Sequence, residues 1–254
     1  MTRTIVVANQ KGGVGKTTTV ANLGAALAAK DRRVLLVDLD PQAALTATYG
    51  IDPYHLPRSV YSLLVNESTT LARILLPAGD SGMAIAPASV DLAAADLQLV
   101  NMEGRANKLR DAIASNRIPF DYVVIDTPPS LGLLTLNGLV AATEVLIPVQ
   151  CHFLAMRGVR ALMETVWRVK RKLNPNLRLL GILPTMFDKE SKHSEEVLDE
   201  MKAVFGEKVF DTVIYSDSKF AEAPVAGKAL IDYDPQHAGA TAYKNLAEVL
   251  INHE

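Results

Sequence analysis

The sequence predicts an α/β protein, a single-domain doubly wound sheet, mostly parallel and flanked by helices. Short apolar runs of four or five residues recur along the chain and read as strands buried on both faces. Longer stretches with helical spacing separate them, so strand and helix alternate. The first apolar run leads through a glycine-rich loop into a helix, the opening of a βαβ unit.

In chain order, Ile5-Val6-Val7-Ala8 is the first strand, and residues 17–30, rich in Ala and Leu, are the first helix. The strand at 34–37 ends in Asp38-Leu39-Asp40-Pro41 and closes one right-handed βαβ unit. Residues 41–82 are the least regular, with Pro53, Pro57, Pro77 and short helix-like pieces at 60–65 and 71–75. A strand is expected at 83–86, then a helix from 90 to about 115 broken near Gly104. The strand at 122–125 ends in Asp126-Thr127-Pro128-Pro129, and 145–149 and 179–183 repeat the theme. Helices are expected at 133–141, 155–173, 191–205 and 238–252. With no linker, repeat or low-complexity stretch, residues 1–254 read as one domain.

The 254 residues carry 26 Lys+Arg against 28 Asp+Glu, a formal net charge of −2. That excludes a uniformly basic nucleic-acid binder, so any DNA contact must come from a local patch. The lone Cys151 excludes an internal disulfide and a cysteine-rich metal site, and fits a small core residue. No run approaches the roughly 18 apolar residues of a membrane span, and the first residues run straight into a strand pattern. A cytoplasmic protein is expected.

Lys11-Gly12-Gly13-Val14-Gly15-Lys16-Thr17-Thr18 is the richest segment for chemistry. Counted from Ala8, it satisfies the phosphate-loop pattern except that Ala8 stands where Gly is usual. Glycines let successive N–H groups turn inward toward phosphate oxygens, and the helix that follows adds its positive end. Lys16 supplies a charge for β- and γ-phosphates, and the Thr17 hydroxyl suits Mg²⁺. Asp126, ending a buried strand, is placed to hold a magnesium-bound water. Asp38 and Asp40 end a neighbouring strand, and their spacing alone does not separate them.

The segment from Asn9 to Thr19, with Lys11 opening the loop, resembles the deviant Walker A motif of the ParA/MinD ATPases. Asp38-Leu39-Asp40-Pro41-Gln42 and Ile125-Asp126-Thr127-Pro128-Pro129-Ser130 resemble the family's other two ATPase motifs. Glu222-Ala223-Pro224 with Gly227-Lys228 resembles its C-terminal region. The likeness spans nearly the whole chain and is nearest to the small, Soj-like ParA proteins, which lack an N-terminal DNA-binding extension.

That resemblance implies a magnesium-dependent ATPase that forms a homodimer on ATP. It implies that Asp40 orients the attacking water, also facing the metal with Thr17 and Asp126, and that Lys11 reaches the partner's ATP phosphates. Pro184-Thr185-Met186 and Asp217 occupy family positions near the adenine. The resemblance further implies non-specific DNA binding, location on the nucleoid, and a ParB-like activator of hydrolysis.

Between Cys151 and Leu180 seven basic residues stand against one acid, Glu164. At helical spacing Arg157, Arg160, Arg168, Arg171 and Lys172 share one face, a stripe suited to DNA phosphates. Lys192, Lys219 and Lys228 are further candidates from the C-terminal third. One departure weakens the pattern: Ile214-Tyr215-Ser216-Asp217 stands where Soj-like proteins commonly read Ile-Pro-Arg-Asn. A MinD-like membrane anchor fits poorly, because the last thirteen residues hold one lysine and two acids with core-facing apolar spacing. Nitrogenase-reductase and arsenite-pump relatives need cysteine ligands. A dethiobiotin-synthetase-like ligase would leave the basic helix unexplained. An orphan ParA-like protein that positions a protein cargo is the alternative.

Overall fold

The computed structural model describes residues 2–152 and 155–252, with side chains in the helix opening at Ala155 described from Gly158 onward. Its strands are β1 (Arg3–Val7), β2 (Val34–Asp38), β3 (Leu76–Ala78), β4 (Met83–Ala86), β5 (Tyr122–Asp126), β6 (Glu144–Gln150) and β7 (Arg178–Thr185). They form one sheet in the order β3-β4-β2-β5-β1-β6-β7, parallel except for β3 against β4. From β1 the chain runs to β2 and out to β3 and β4, returns as β5 between β2 and β1, and then crosses to β6 and β7 on the other side. The loop after β1 therefore opens where ligands bind in doubly wound sheets.

The helices are α1 (Lys16–Ala28), α2 (Ala44–Thr48), α3 (Val60–Val65), α4 (Ala95–Leu99), α5 (Lys108–Ala114), α6 (Leu133–Ala141), α7 (Ala155–Lys172), α8 (Lys192–Phe205), α9 (Lys219–Val225), α10 (Leu230–Tyr233) and α11 (Ala238–Asn252). Alternation along each strand sorts the core into two layers. Ile5, Val7, Leu36 and Val124 pack with Leu23 and Leu27 of α1 and Leu246 of α11. Val6, Val37 and Ile125 pack on the other side with Leu139 of α6 and Leu162 of α7. Both faces of the central strands are therefore dry, which is why they read as unbroken apolar runs. Cys151 belongs to the second layer, where burial pushes its thiol up to about 11.

Helix α1 is buried along most of its length because it sits between the sheet and α11, where Thr19 Oγ1 and the Tyr243 hydroxyl lie 3.0 Å apart. It approaches the sheet tightly at Gly24, where an added Cβ would come within 2.5 Å of Leu36 Cδ2. Gly24→Ala is expected to cost about 1–3 kcal/mol of stability by overpacking. Chemical denaturation measures this, and an unchanged midpoint would show that α1 can back away from β2.

The expected strands all form: the first is shifted to Arg3–Val7 and does not include Ala8, 83–86 is unchanged, and the others are each lengthened by one or more residues. The helices at 133–141 and 238–252 lie as expected. The helix expected over 90–115 is instead a 3₁₀ turn at Val90–Ala94, then α4 and α5, split by turns through Gly104 (φ +64°). The piece expected at 71–75 is a 3₁₀ turn, Leu71–Arg73.

Candidate nucleotide site at the carboxyl ends of the central strands

Parallel pairing brings the carboxyl ends of β1, β2, β5, β6 and β7 to one edge. Asn9 fixes the entry to the loop: its amide donates to the Pro148 carbonyl (2.7 Å) and its Oδ1 accepts the Lys11 N–H (3.0 Å). Gly15 caps α1 at φ +84°, a left-handed conformation that suits glycine, and no side chain caps the first turn of the helix. Its N–H groups are thus left for an anion. The Thr185 hydroxyl donates to the Val14 carbonyl (2.9 Å), so Thr185 braces the loop from the end of β7.

Lys16 is buried and spans the loop, its Nζ donating to the Lys11 carbonyl at 3.3 Å. Burial lowers its pKa, against the pull of Asp126 and Asp40. The Thr17 hydroxyl donates to Asp126 Oδ2 (2.6 Å), and the Thr127 N–H donates to Asp126 Oδ1 (3.0 Å). Asp126 lies in register with Asp38 on the neighbouring strand. Both are fully buried; burial first, then the nearby carboxylates, raise the pKa of each, while hydrogen bonds from Thr17 to Asp126 and from Thr46 and Asp40 to Asp38 oppose the rise.

Here the geometry separates two acids that spacing left equivalent. Both Asp38 oxygens are spent on the chain: Oδ1 accepts the Asp40 N–H (3.1 Å), and Oδ2 accepts the Thr46 N–H (2.9 Å) and hydroxyl (2.7 Å). Thr46 Oγ1 in turn accepts the Ala88 N–H at 2.9 Å. Asp38 is therefore a buried strut that fixes Asp40, α2 and the segment after β4. Among the described residues, Asp40 uses only Oδ1, accepting the Gln42 N–H (2.9 Å). Thr46 has no signature in the sequence, because its partners lie eight and forty-two residues away.

Lys11 is exposed and lies on its own protomer, its Nζ donating to Gln150 Oε1 at 3.0 Å. Met186 is in a left-handed conformation (φ +50°) directly before Phe187. Asp217 accepts the Lys219 N–H (2.9 Å) and pairs with His237 at 3.3 Å. Asp217 lines a cavity of about 320 Å³ with Phe187, Tyr215, Phe220 and His237, whereas Pro184, Thr185 and Met186 are not among its walls. A second cavity of about 230 Å³ opens beside Thr17, Thr18 and Asn22.

The basic candidates do not form one set. Arg160, Arg168, Arg171 and Lys172 are exposed on α7, and Lys192 is exposed at the start of α8. The Arg157 side chain lies outside the described residues. Lys219 pairs with Asp234 (3.7 Å) and lies over the Tyr233 ring, and Lys228 bonds Asp80 at 2.8 Å.

A family model described as an AAA domain matches residues 2–179. The sporulation initiation inhibitor protein Soj of Bacillus subtilis is 42% identical over 248 residues, covering 98% of each chain. The chromosome partitioning protein ParA of Myxococcus xanthus is 41% identical over 252 residues, covering 99% of this chain and 89% of that protein. The chain belongs to the ParA/Soj family of ATPases. Among solved structures, a Mycobacterium smegmatis protein described as cobyrinic acid a,c-diamide synthase, holding an ATP analogue and magnesium, superposes with a TM-score of 0.88. It is 44% identical, with 100% of this chain and 96% of that one covered. The Mg-ADP complex of the septum site-determining protein MinD from Pyrococcus horikoshii superposes with a TM-score of 0.79 at 26% identity, covering 98% and 96%. The ParA/Soj relationship thus extends through α11, well past the residues that the family model matches.

Proposed function

We propose that this ParA/Soj-family ATPase is a nucleotide-switched partitioning protein. In this reading it binds Mg·ATP, dimerises, holds DNA without sequence preference, and moves or positions a cargo until a ParB-like activator triggers hydrolysis. The observation that carries the chemistry is the Thr17–Asp126 hydrogen bond beneath a loop crossed by the Lys16 side chain. A hydroxyl and a carboxylate already held together are oxygen donors of the kind magnesium takes.

Gly12, Gly13, Val14, Gly15, Lys16, Thr17 and Thr18 would cradle the phosphates, with Thr17, Asp126 and Asp40 holding magnesium or its waters. Magnesium would neutralise charge on the phosphates when bound. Asp40 would orient the water whose oxygen bonds to the γ-phosphorus as the bond to ADP breaks. Lys11 would leave Gln150 and neutralise the partner's ATP, joining nucleotide occupancy to dimerisation by mass action. The base would lie near Pro184, Met186 and Asp217, with Thr185 acting through the loop backbone.

The apolar residues of α11, including Tyr243, Leu246 and Leu250, are buried against the rest of the fold, which disfavours a lipid-bound terminal helix. Among the described residues no helix is long and apolar enough to cross a membrane. Work on the nucleoid in the cytoplasm is part of this reading and is supported by the relationship to Soj. The name of the Mycobacterium smegmatis relative suggests a second reading, an amide synthase. It would require a large substrate pocket beside the phosphates, and among the described residues no set of side chains is assigned to one. Retention of DNA by the purified protein, compared in ATP, ADP and no nucleotide, tests the proposal. Retention in ATP alone is expected, and equal retention in all three counts against a switch.

A further inference from the structure

We infer that the outer face of α7, centred on Trp167, is the surface through which this protein contacts nucleic acid. The inference rests on the DNA-binding reading above and locates its contact. Helix α7 turns Val159, Leu162, Val166 and Val169 into the core. On the opposite side Arg160, Trp167 and Arg171 follow one another at i, i+7 and i+11, a single stripe about 16 Å long.

Trp167 is 63% exposed. A large ring left in water between two guanidinium groups is a poor use of apolar surface in a monomer and a common anchor at interfaces. Glu164, exposed at i+4 from Arg160, lies within the same stripe and is turned toward Arg168 at 3.6 Å. Among the described residues no acidic partner stands within ion-pair distance of Arg160 or Arg171. Of the C-terminal lysines named above, Lys228 is engaged with Asp80 and Lys219 with Asp234, while Lys192 is exposed at the start of α8. In a chain of net charge −2, this face thus holds two guanidinium groups, Arg160 and Arg171, without an acidic partner among the described residues.

Two arguments decide the occupant. A lipid surface takes up a helix by sinking an apolar face into it, and the apolar face of α7 is already committed to the core. A nucleic acid needs what the stripe offers: guanidinium groups spaced along an axis to displace counterions from phosphates, and a ring to pack on sugar or base.

Trp167 is the only tryptophan, so its fluorescence reports on this face alone. The full chain, loaded with ATP, is titrated with a random-sequence DNA duplex. Saturable quenching of Trp167 emission is expected, together with a steep log–log salt dependence. The double variant R160A/R171A, whose changes are at exposed positions, is expected to keep its melting temperature and to bind at least tenfold more weakly. Its salt slope should fall by about two, one for each phosphate that is no longer neutralised. W167A is expected to weaken binding less, without changing the slope. If the wild-type protein retains DNA with ATP but its emission stays fixed and R160A/R171A binds as well, α7 is not the contact and the DNA reading survives. If no nucleotide state retains DNA, that reading fails, and this inference with it. Quenching by phosphatidylglycerol vesicles and not by DNA would assign the face to lipid and overturn the inference.

Discussion

Lys16→Ala is expected to abolish nucleotide binding and, with it, every ATP-dependent dimer. The Lys16 ammonium is buried, bonds the Lys11 carbonyl across the loop, and lies in the field of Asp126 and Asp40. Without it, a triphosphate entering the loop meets buried carboxylates with no positive side chain of the same protomer beneath it. Removing one member of a buried, hydrogen-bonded charge pair costs about 2–5 kcal/mol, so affinity should fall by roughly two orders of magnitude or more. Titration with a fluorescent ATP analogue measures that loss, and size-exclusion chromatography with a non-hydrolysable analogue measures the dimer. Because Lys16 also ties the loop to itself, thermal melting of the nucleotide-free variant must accompany both. A folded variant that still dimerises on ATP would remove Lys16 from the phosphate site and undo the reading of the loop.

What is legible in the chain follows from which signals are local. β1, β2 and β5 can be read because two covered faces leave no polar alternation, and α6 and α11 because each carries an uninterrupted apolar spacing. β3 is invisible: it has three residues, one of them Pro77, which an edge strand tolerates. α2 starts after Ala43 in a left-handed conformation with no side-chain cap, and α9 contains Pro224, which reads as a breaker. At the site, the loop is legible because its glycines and Lys16-Thr17 lie side by side. The walls of the larger adjoining cavity are not, because Phe187, Tyr215, Phe220 and His237 are scattered over fifty residues and meet only in the fold. Asp38 and Asp40 look alike in sequence because what separates them is a set of hydrogen bonds from Thr46 and from the backbone of Asp40 itself.

That distinction sets the second large effect. Asp40→Ala is expected to bind ATP and dimerise while turnover falls by about 10²–10⁴, the range for losing a group that positions or deprotonates a reacting water. The dimer should outlast the wild-type one, since hydrolysis is what releases it. Phosphate release under saturating ATP measures turnover, and a normal rate would remove Asp40 from the mechanism. Thr46→Val tests the strut beneath it. Valine keeps the volume of threonine but takes the hydroxyl from Asp38 and leaves the Ala88 N–H without its partner, at a cost of about 1–3 kcal/mol. If Asp38 acts by holding the Asp40 backbone, kcat should fall about tenfold in Thr46→Val while the KM for ATP changes little, and Thr46→Ser should restore both. Equal damage to kcat and KM that serine does not repair would mean that Thr46 supports the fold of the loops generally, and that Asp40 takes its position from Pro41 and the Gln42 N–H.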